Sequence, residues 1–201
     1  MSNGVRDRSR EILRGELADA AAAFCVEHGF DEVTAEEIAR GIGVSRATFF
    51  RYFASKEDAV VSAARLAATR AGSFAQSVAE AADAAAPGTA LWAIMRAATE
   101  PMVSTAETRG DLLRARIRMI TDVPALKGYL ASQRGSDQSA VADVLRARLC
   151  DDHTAHTLAA AGVAAVDLAW QEWARTPGAK LHPLLDAYFA AFGDLATPKL
   201  T

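Results

Sequence analysis

Between Ile38 and Lys56 the chain carries four basic side chains, Arg40, Arg46, Arg51 and Lys56, and no acidic one. The protein as a whole is acidic, with 22 Lys and Arg against 25 Asp and Glu and a formal net charge of −3. The basic run is therefore a local asymmetry, of the kind that attracts a phosphate backbone. A second chemical signal is Arg116. On a helix it shares a face with Leu113, Ile117 and Ile120, while Arg114 and Arg118 fall to the side. A guanidinium on an apolar stripe needs a counter-charge. Glu100, Asp167 or Glu172 could supply it, or else a phosphate or carboxylate on a bound ligand.

Other reactive residue types lead less far. His153 and His156 stand three apart at a helix start beside Asp151 and Asp152, without a further carboxylate or thiol to complete a metal site. Neither a metal nor a cofactor is expected. There is no Ser-His-Asp grouping, phosphate loop or paired-carboxylate motif, so an enzyme is not expected. Cys25 and Cys150 lie 125 positions apart in segments that both read as helical, which fits a reduced, cytoplasmic chain without a disulfide framework. The Met1 to Arg14 stretch has Arg6, Arg8, Arg10 and Arg14 but no apolar run after them, unlike a secretory signal. No run reaches the roughly 18 apolar residues of a membrane span.

The elements that must position these groups are helical. The sequence holds 46 Ala and 17 Leu against 13 Val and 6 Ile, a balance that favours helices over strands. Leu13, Leu17, Ala20 and Phe24 predict a first helix over about Arg8 to His28, closed by Gly29. Thr34-Ala35-Glu36-Glu37 fits a capping box opening a second helix, Thr34 to about Arg40. Gly41-Ile42-Gly43 interrupts it, and Ser45 caps a third helix ending near Phe53. Ser55-Lys56-Glu57-Asp58 opens a long fourth. Small Ala39 lets two helices cross, Gly43 supplies the turn, and Ile38, Ile42, Val44 and Phe49 face inward. Arg46, Ala47, Thr48, Phe50, Arg51 and Tyr52 then face outward. Beyond these lie breaks at Pro87-Gly88, Pro101, Gly110, Pro124, Gly135, Asp151-Asp152 and Pro177-Gly178. About five further helices fit between them, giving an all-α chain of about nine. The domains are expected at 1–58 and 59–201, divided inside the fourth helix near Ala59 to Arg70.

The stretch from Gly29-Phe-Asp-Glu-Val-Thr-Ala-Glu-Glu-Ile-Ala-Arg-Gly-Ile-Gly-Val-Ser-Arg-Ala-Thr-Phe-Phe-Arg-Tyr-Phe through Ala-Ser-Lys-Glu-Asp58 closely resembles the helix-turn-helix DNA-binding domain of the TetR family of bacterial transcriptional regulators. The resemblance covers residues 8 to about 65. It implies a homodimer, most simply a repressor, whose third helix enters the major groove of double-stranded operator DNA and whose C-terminal domain binds a small molecule that releases the DNA. Carried over by position, Arg46, Ala47, Thr48, Phe50 and Tyr52 resemble the groove-facing set, and Thr34, Arg51 and Lys56 the phosphate contacts or their neighbours, with Ser45 at the helix start also counted as DNA-binding. Phe49-Phe50 replaces the commoner Leu-Tyr pair. Phe50 has no hydrogen to donate and suits a thymine methyl.

In the TetR-like fold the last two long helices pair across a dimer, here about Asp152 to Arg175 and Lys180 to Leu195. Leu158, Gly162, Ala165 and Ala169 form a small stripe; Leu181, Leu184, Leu185, Tyr188, Phe189 and Phe192 form a bulky one. A monomer burying both stripes internally is the alternative. Residues 112–130 resemble the ligand domain of the mycofactocin-system type of TetR regulator, associated with acyl-CoA-like effectors. This makes Trp92, Met95, Arg116, Met119 and Trp170 candidate ligand contacts, each of which could equally be plain core. Two rival readings stay open: a helical metal-dependent or hydrolytic enzyme using His153, His156 and the aspartates, and an architectural DNA binder without an effector.

Overall fold

A computed structural model describes residues 3–69, 73–148 and 151–194. Arg70, Cys150 and Leu195, named above, lie outside the described residues, as do the side chains of Arg6 and Arg8. Among the described residues there are ten helices and no strand. They are α1 (Asn3–His28), α2 (Ala35–Gly41), α3 (Arg46–Tyr52), α4 (Lys56–Thr69), α5 (Phe74–Ala84), α6 (Leu91–Ala97), α7 (Glu100–Asp122), α8 (Pro124–Arg146), α9 (Asp152–Arg175) and α10 (Leu181–Asp194). None of them is long and apolar enough to cross a membrane.

Two breaks differ from expectation. The sequence shows no break between the long fourth helix opened at Ser55 and Pro87-Gly88, yet α5 starts afresh because the Ser73 hydroxyl accepts from the Gln76 N–H at 3.1 Å, an N-cap bond. Gly135, expected to end a helix, sits inside α8 without interrupting it. A single exposed Gly weakens a helix by only about 1 kcal/mol relative to Ala, too little to stop it when its neighbours continue. Gly110 does break the helical run as expected: its backbone is non-helical, with φ 39° and ψ −119°, and two helical stretches of α7 meet at a kink there.

The chain forms two compact units, residues 1–67 with 115–131, and residues 68–114 with 132–201. The later half of α7 and the start of α8 thus belong with the N-terminal helices, an arrangement that no single cut along the chain describes. In the first unit Ala18, Ala21, Ala22 and Cys25 of α1 meet Ile38, Phe49, Phe53, Val60, Val61, Ile120 and Leu126 in one core. The Ala positions on α1 and on α4 keep those helices slim where they pack. Gly43, at φ 76°, turns the chain between α2 and α3 through a region that Cβ-bearing residues resist.

In the second unit α9 and α10 pair, burying Ala155, Ala159, Val166 and Trp173 on one and Leu181, Leu185 and Phe189 on the other. Gly162 lets α6 approach closely: a Cβ there would stand 2.0 Å from the Met95 methyl. Trp92 Nε1 donates to the Phe189 carbonyl at 2.8 Å, and the Tyr188 hydroxyl donates to Glu172 at 2.6 Å. Arg114 lies 4.0 Å over the Trp173 ring and donates to the carbonyls of Trp173, Thr176 and Ala179. Its fork thereby satisfies the carbonyls that α9 leaves open at its C-terminal end.

Candidate nucleic-acid interface

α2 and α3 owe their positions to two caps. The Thr34 hydroxyl accepts from the Glu37 N–H at 3.2 Å while Glu37 Oε2 accepts from the Thr34 N–H at 2.9 Å, the reciprocal capping box expected from the sequence. Those bonds, first from the Thr34 backbone and then from its side chain, hold the Glu37 carboxyl below its ordinary range. Ser45 accepts from the Thr48 N–H at 3.1 Å and donates to the Thr48 hydroxyl at 3.0 Å. Phe49 is fully buried behind α3 and meets Phe53 at 5.3 Å between ring centroids. On the opposite side Arg46, Ala47, Phe50 and Arg51 are exposed and Thr48 is half-buried.

Three expected site residues have partners within the chain that the sequence did not show, and one of them, Tyr52, departs from the outward reading. Tyr52 is half-buried and packs against the core, with the Arg51 guanidinium 5.2 Å from its ring. A seven-residue helix that must tuck Phe53 beneath its end carries the preceding ring partway in. Lys56 donates to the carbonyls of Phe30 and Val33 at 2.9 and 3.1 Å, and its ammonium sits 4.2 Å from the Phe30 ring centroid. Its charge clamps the loop before α2. Arg46 Nε donates to Glu36 at 2.6 Å and the guanidinium stacks 5.3 Å from the Phe50 ring.

The Lys56 clamp yields a direct expectation. Lys56→Met keeps an apolar stem and removes both bonds, at a cost of about 2 kcal/mol, the scale for hydrogen bonds to a charged group. Urea unfolding reads this as a lower midpoint at unchanged slope. An unshifted midpoint would mean the ammonium is not spent on the loop.

Two residues that bear on the candidate site escaped the sequence reading. Arg14 on α1 donates to the Tyr52 carbonyl at 3.2 Å, to Asp58 at 3.2 Å and to Ser62 at 2.8 Å, and Asp58 also accepts from the Ala54 N–H at 2.9 Å. This network ties the end of α3 to α1 and α4. The second is Glu36, whose acidic type hid its place beside Arg46. The buried Cys25 thiol is pushed up to about 11 by desolvation, against the pull of Lys56, so it stays protonated and inert at neutral pH.

The five candidate ligand contacts do not fall in one unit. Trp92 and Met95 come together at Gly162 of α9, and Trp170 of the same helix meets Trp173 edge-on at 5.3 Å. Met119 packs against the core of the first unit. Arg116 belongs to that unit too, and its partner is none of the three acids expected. It donates to Asp19 Oδ1 at 2.6 Å and to the Asp19 carbonyl at 2.8 Å. Among those three acids, Asp167 pairs instead with Arg134. Burial pushes its carboxyl up to about 6 against the pull of that guanidinium.

Comparison with known proteins places these helices in context. Residues 17–70 match the bacterial regulatory proteins of the tetR family, and residues 89–196 match the MftR C-terminal domain. The chain is 41% identical over 49 residues to the mycofactocin biosynthesis transcriptional regulator MftR of Mycobacterium tuberculosis, covering 24% of this chain and 25% of that protein. It is 38% identical over 55 residues to the HTH-type transcriptional regulator TcmR of Streptomyces glaucescens, covering 27% and 24%. These matches therefore span about a quarter of either relative's length. Thermus thermophilus FadR, a TetR family repressor solved in complex with lauroyl-CoA, superposes with a TM-score of 0.57 at 20% identity, covering 93% of this chain and 97% of that one. The fatty acid degradation regulator FadR of Bacillus halodurans gives 0.58 at 16% identity, covering 89% and 93%. At such identities the likeness is one of fold.

Proposed function

The chain belongs to the TetR family and carries a C-terminal domain of the MftR type, and from that premise we propose that it is a ligand-responsive repressor binding palindromic operator DNA as a homodimer. The observation that carries the reading is the exposed row Arg46, Ala47, Phe50 and Arg51 on a helix whose other side is locked by Phe49. A short helix anchored this way presents side chains to the major groove without bending. Arg46 reads a base edge, Phe50 touches a thymine methyl, Ala47 and Thr48 face the groove beside them, and Thr34, Arg51 and the remaining ammonium hydrogen of Lys56 approach phosphates, with Ser45 at the helix start. Tyr52 contributes its exposed edge.

Dimerisation through α9 and α10 must draw on the apolar groups one chain leaves uncovered. Gly162, Ala165, Ala169, Leu181, Leu185 and Phe189 are buried within the chain, whereas Leu158, Leu184, Tyr188 and Phe192 are half-buried and Leu168 is exposed. The effector is a small amphipathic, acyl-CoA-like molecule. The MftR-type domain and the lauroyl-CoA held by the Thermus FadR support this class. Trp92, Met95 and Trp170 are the contacts assigned to its apolar part. Arg116, in the first unit, is bonded to Asp19.

Fluorescence anisotropy on the DNA upstream of the protein's own gene tests the reading. Binding is expected to a two-fold site and to weaken steeply with salt as counterions are released. Arg46→Ala should weaken it by about 1–3 kcal/mol per half-site while unfolding stability changes by less than about 1 kcal/mol. Affinity indifferent to sequence would overturn the regulator reading, and native mass spectrometry reports the dimer and any retained ligand.

A further inference from the structure

Among the described residues Glu36 is the acidic group whose carboxylate meets the exposed row of α3. It stands in the first turn of α2, ten residues before Arg46, and Oε1 accepts from Arg46 Nε at 2.6 Å. Among the described residues neither Nη group of Arg46 has a protein partner. The central carbon of the same guanidinium lies 5.3 Å over the Phe50 ring centroid. The arginine is therefore held at its Nε edge and against that ring, and its end, with both Nη groups, is left open. That end is the edge that bonds guanine O6 and N7 in a bidentate pair.

We propose that Glu36 is a positioning residue for sequence recognition, fixing Arg46 so that its open edge meets a guanine in the major groove. The inference rests on the DNA-binding reading above. In the free protein the pair is weak, because the two side chains are 45% and 70% exposed and water screens them. On docked DNA the water leaves and the same contact tightens, at the moment when orientation decides which base is accepted. The carboxylate also repels phosphates, so it works against binding that lacks the guanine. Glu36 thus raises affinity for the right site and lowers it for every other one, opposite signs from one side chain.

Two substitutions separate orientation from charge. Glu36→Gln removes the charge and keeps an oxygen that accepts from Nε; Glu36→Ala removes both. The full-length protein is first offered a random-sequence duplex library, and affinities are then measured by anisotropy on the duplex the wild type selects and on an unrelated duplex of equal length. The unrelated duplex is expected to bind more tightly to both variants. On the selected duplex, Glu36→Ala should bind about tenfold more weakly and Glu36→Gln should recover most of that loss. Library selection with Glu36→Ala should relax preference at one base pair per half-site, and thermal melts confirm that both variants fold. If both variants tighten both duplexes equally, Glu36 only repels phosphate and the inference is overturned. If the wild type selects no sequence at all, the regulator reading itself fails first.

Discussion

Phe49→Ala is expected to cost about 3–5 kcal/mol of unfolding free energy, while its neighbour Phe50→Ala costs less than about 1. The contrast follows from where the two rings stand. Phe49 is 0% exposed, wedged among Ile38, Ala39 and Phe53, and Phe50 is 42% exposed on the other side of the same short helix. Truncating Phe49 removes the transfer free energy of a benzyl group and leaves a cavity that the slim Ala-rich faces of α1 and α4 cannot collapse to fill. Truncating Phe50 loses its contact with Arg46 and its edge-on contact with the Phe49 ring at 5.5 Å, and leaves a space that water fills rather than a buried cavity. Denaturation and DNA binding should therefore separate. Phe49→Ala fails in both, and Phe50→Ala keeps the fold and loses affinity for the operator. Equal stability losses in the two variants would mean that the orientation of α3 is wrong.

That orientation was legible because its determinants are local. Thr34 and Ser45 each cap a helix through a backbone N–H three residues on, so type and spacing alone announce them. Gly43 is required by a turn two residues before Ser45. α9 was also readable to its ends, Asp152–Arg175, because Asp151 caps it and Pro177 follows it. What stayed hidden was every long-range partner. Arg14 reaches Asp58 across 44 positions and Arg116 reaches Asp19 across 97. Helical periodicity assigns a residue to a face, but which acid stands opposite that face is settled by packing between helices. The same limit explains Tyr52 and Lys56. Its place on the third helix puts Tyr52 outside and the resemblance puts Lys56 at or beside a phosphate, whereas the core beneath Phe53 draws Tyr52 in and the loop carbonyls of Phe30 and Val33 hold Lys56. It also explains the split of α7 between two units, since an apolar stripe such as Leu113, Ile117 and Ile120 does not say which core it joins.

The Arg116 pair carries the other large effect, and its asymmetry makes the test sharp. Arg116 is 3% exposed, and its Nε has no partner among the described residues. The Asp19 side chain is 26% exposed and keeps some access to water. Asp19→Leu strands a buried guanidinium and should destabilise the protein by about 3–5 kcal/mol. Arg116→Met leaves a carboxylate that water still reaches and removes an unsatisfied donor, so its cost should be about 1–2 kcal/mol. The double variant, Asp19→Leu with Arg116→Met, removes both charges from the interior. It should regain most of the loss, because a matched apolar pair avoids the desolvation that burdens a lone charge. The difference between the double variant and the sum of the singles is the coupling energy of the pair. Urea unfolding of the four proteins measures it. If Asp19→Leu costs less than about 1 kcal/mol, the guanidinium has another outlet. Arg116 would then be free to meet an anionic effector, as its place on an apolar stripe first implied.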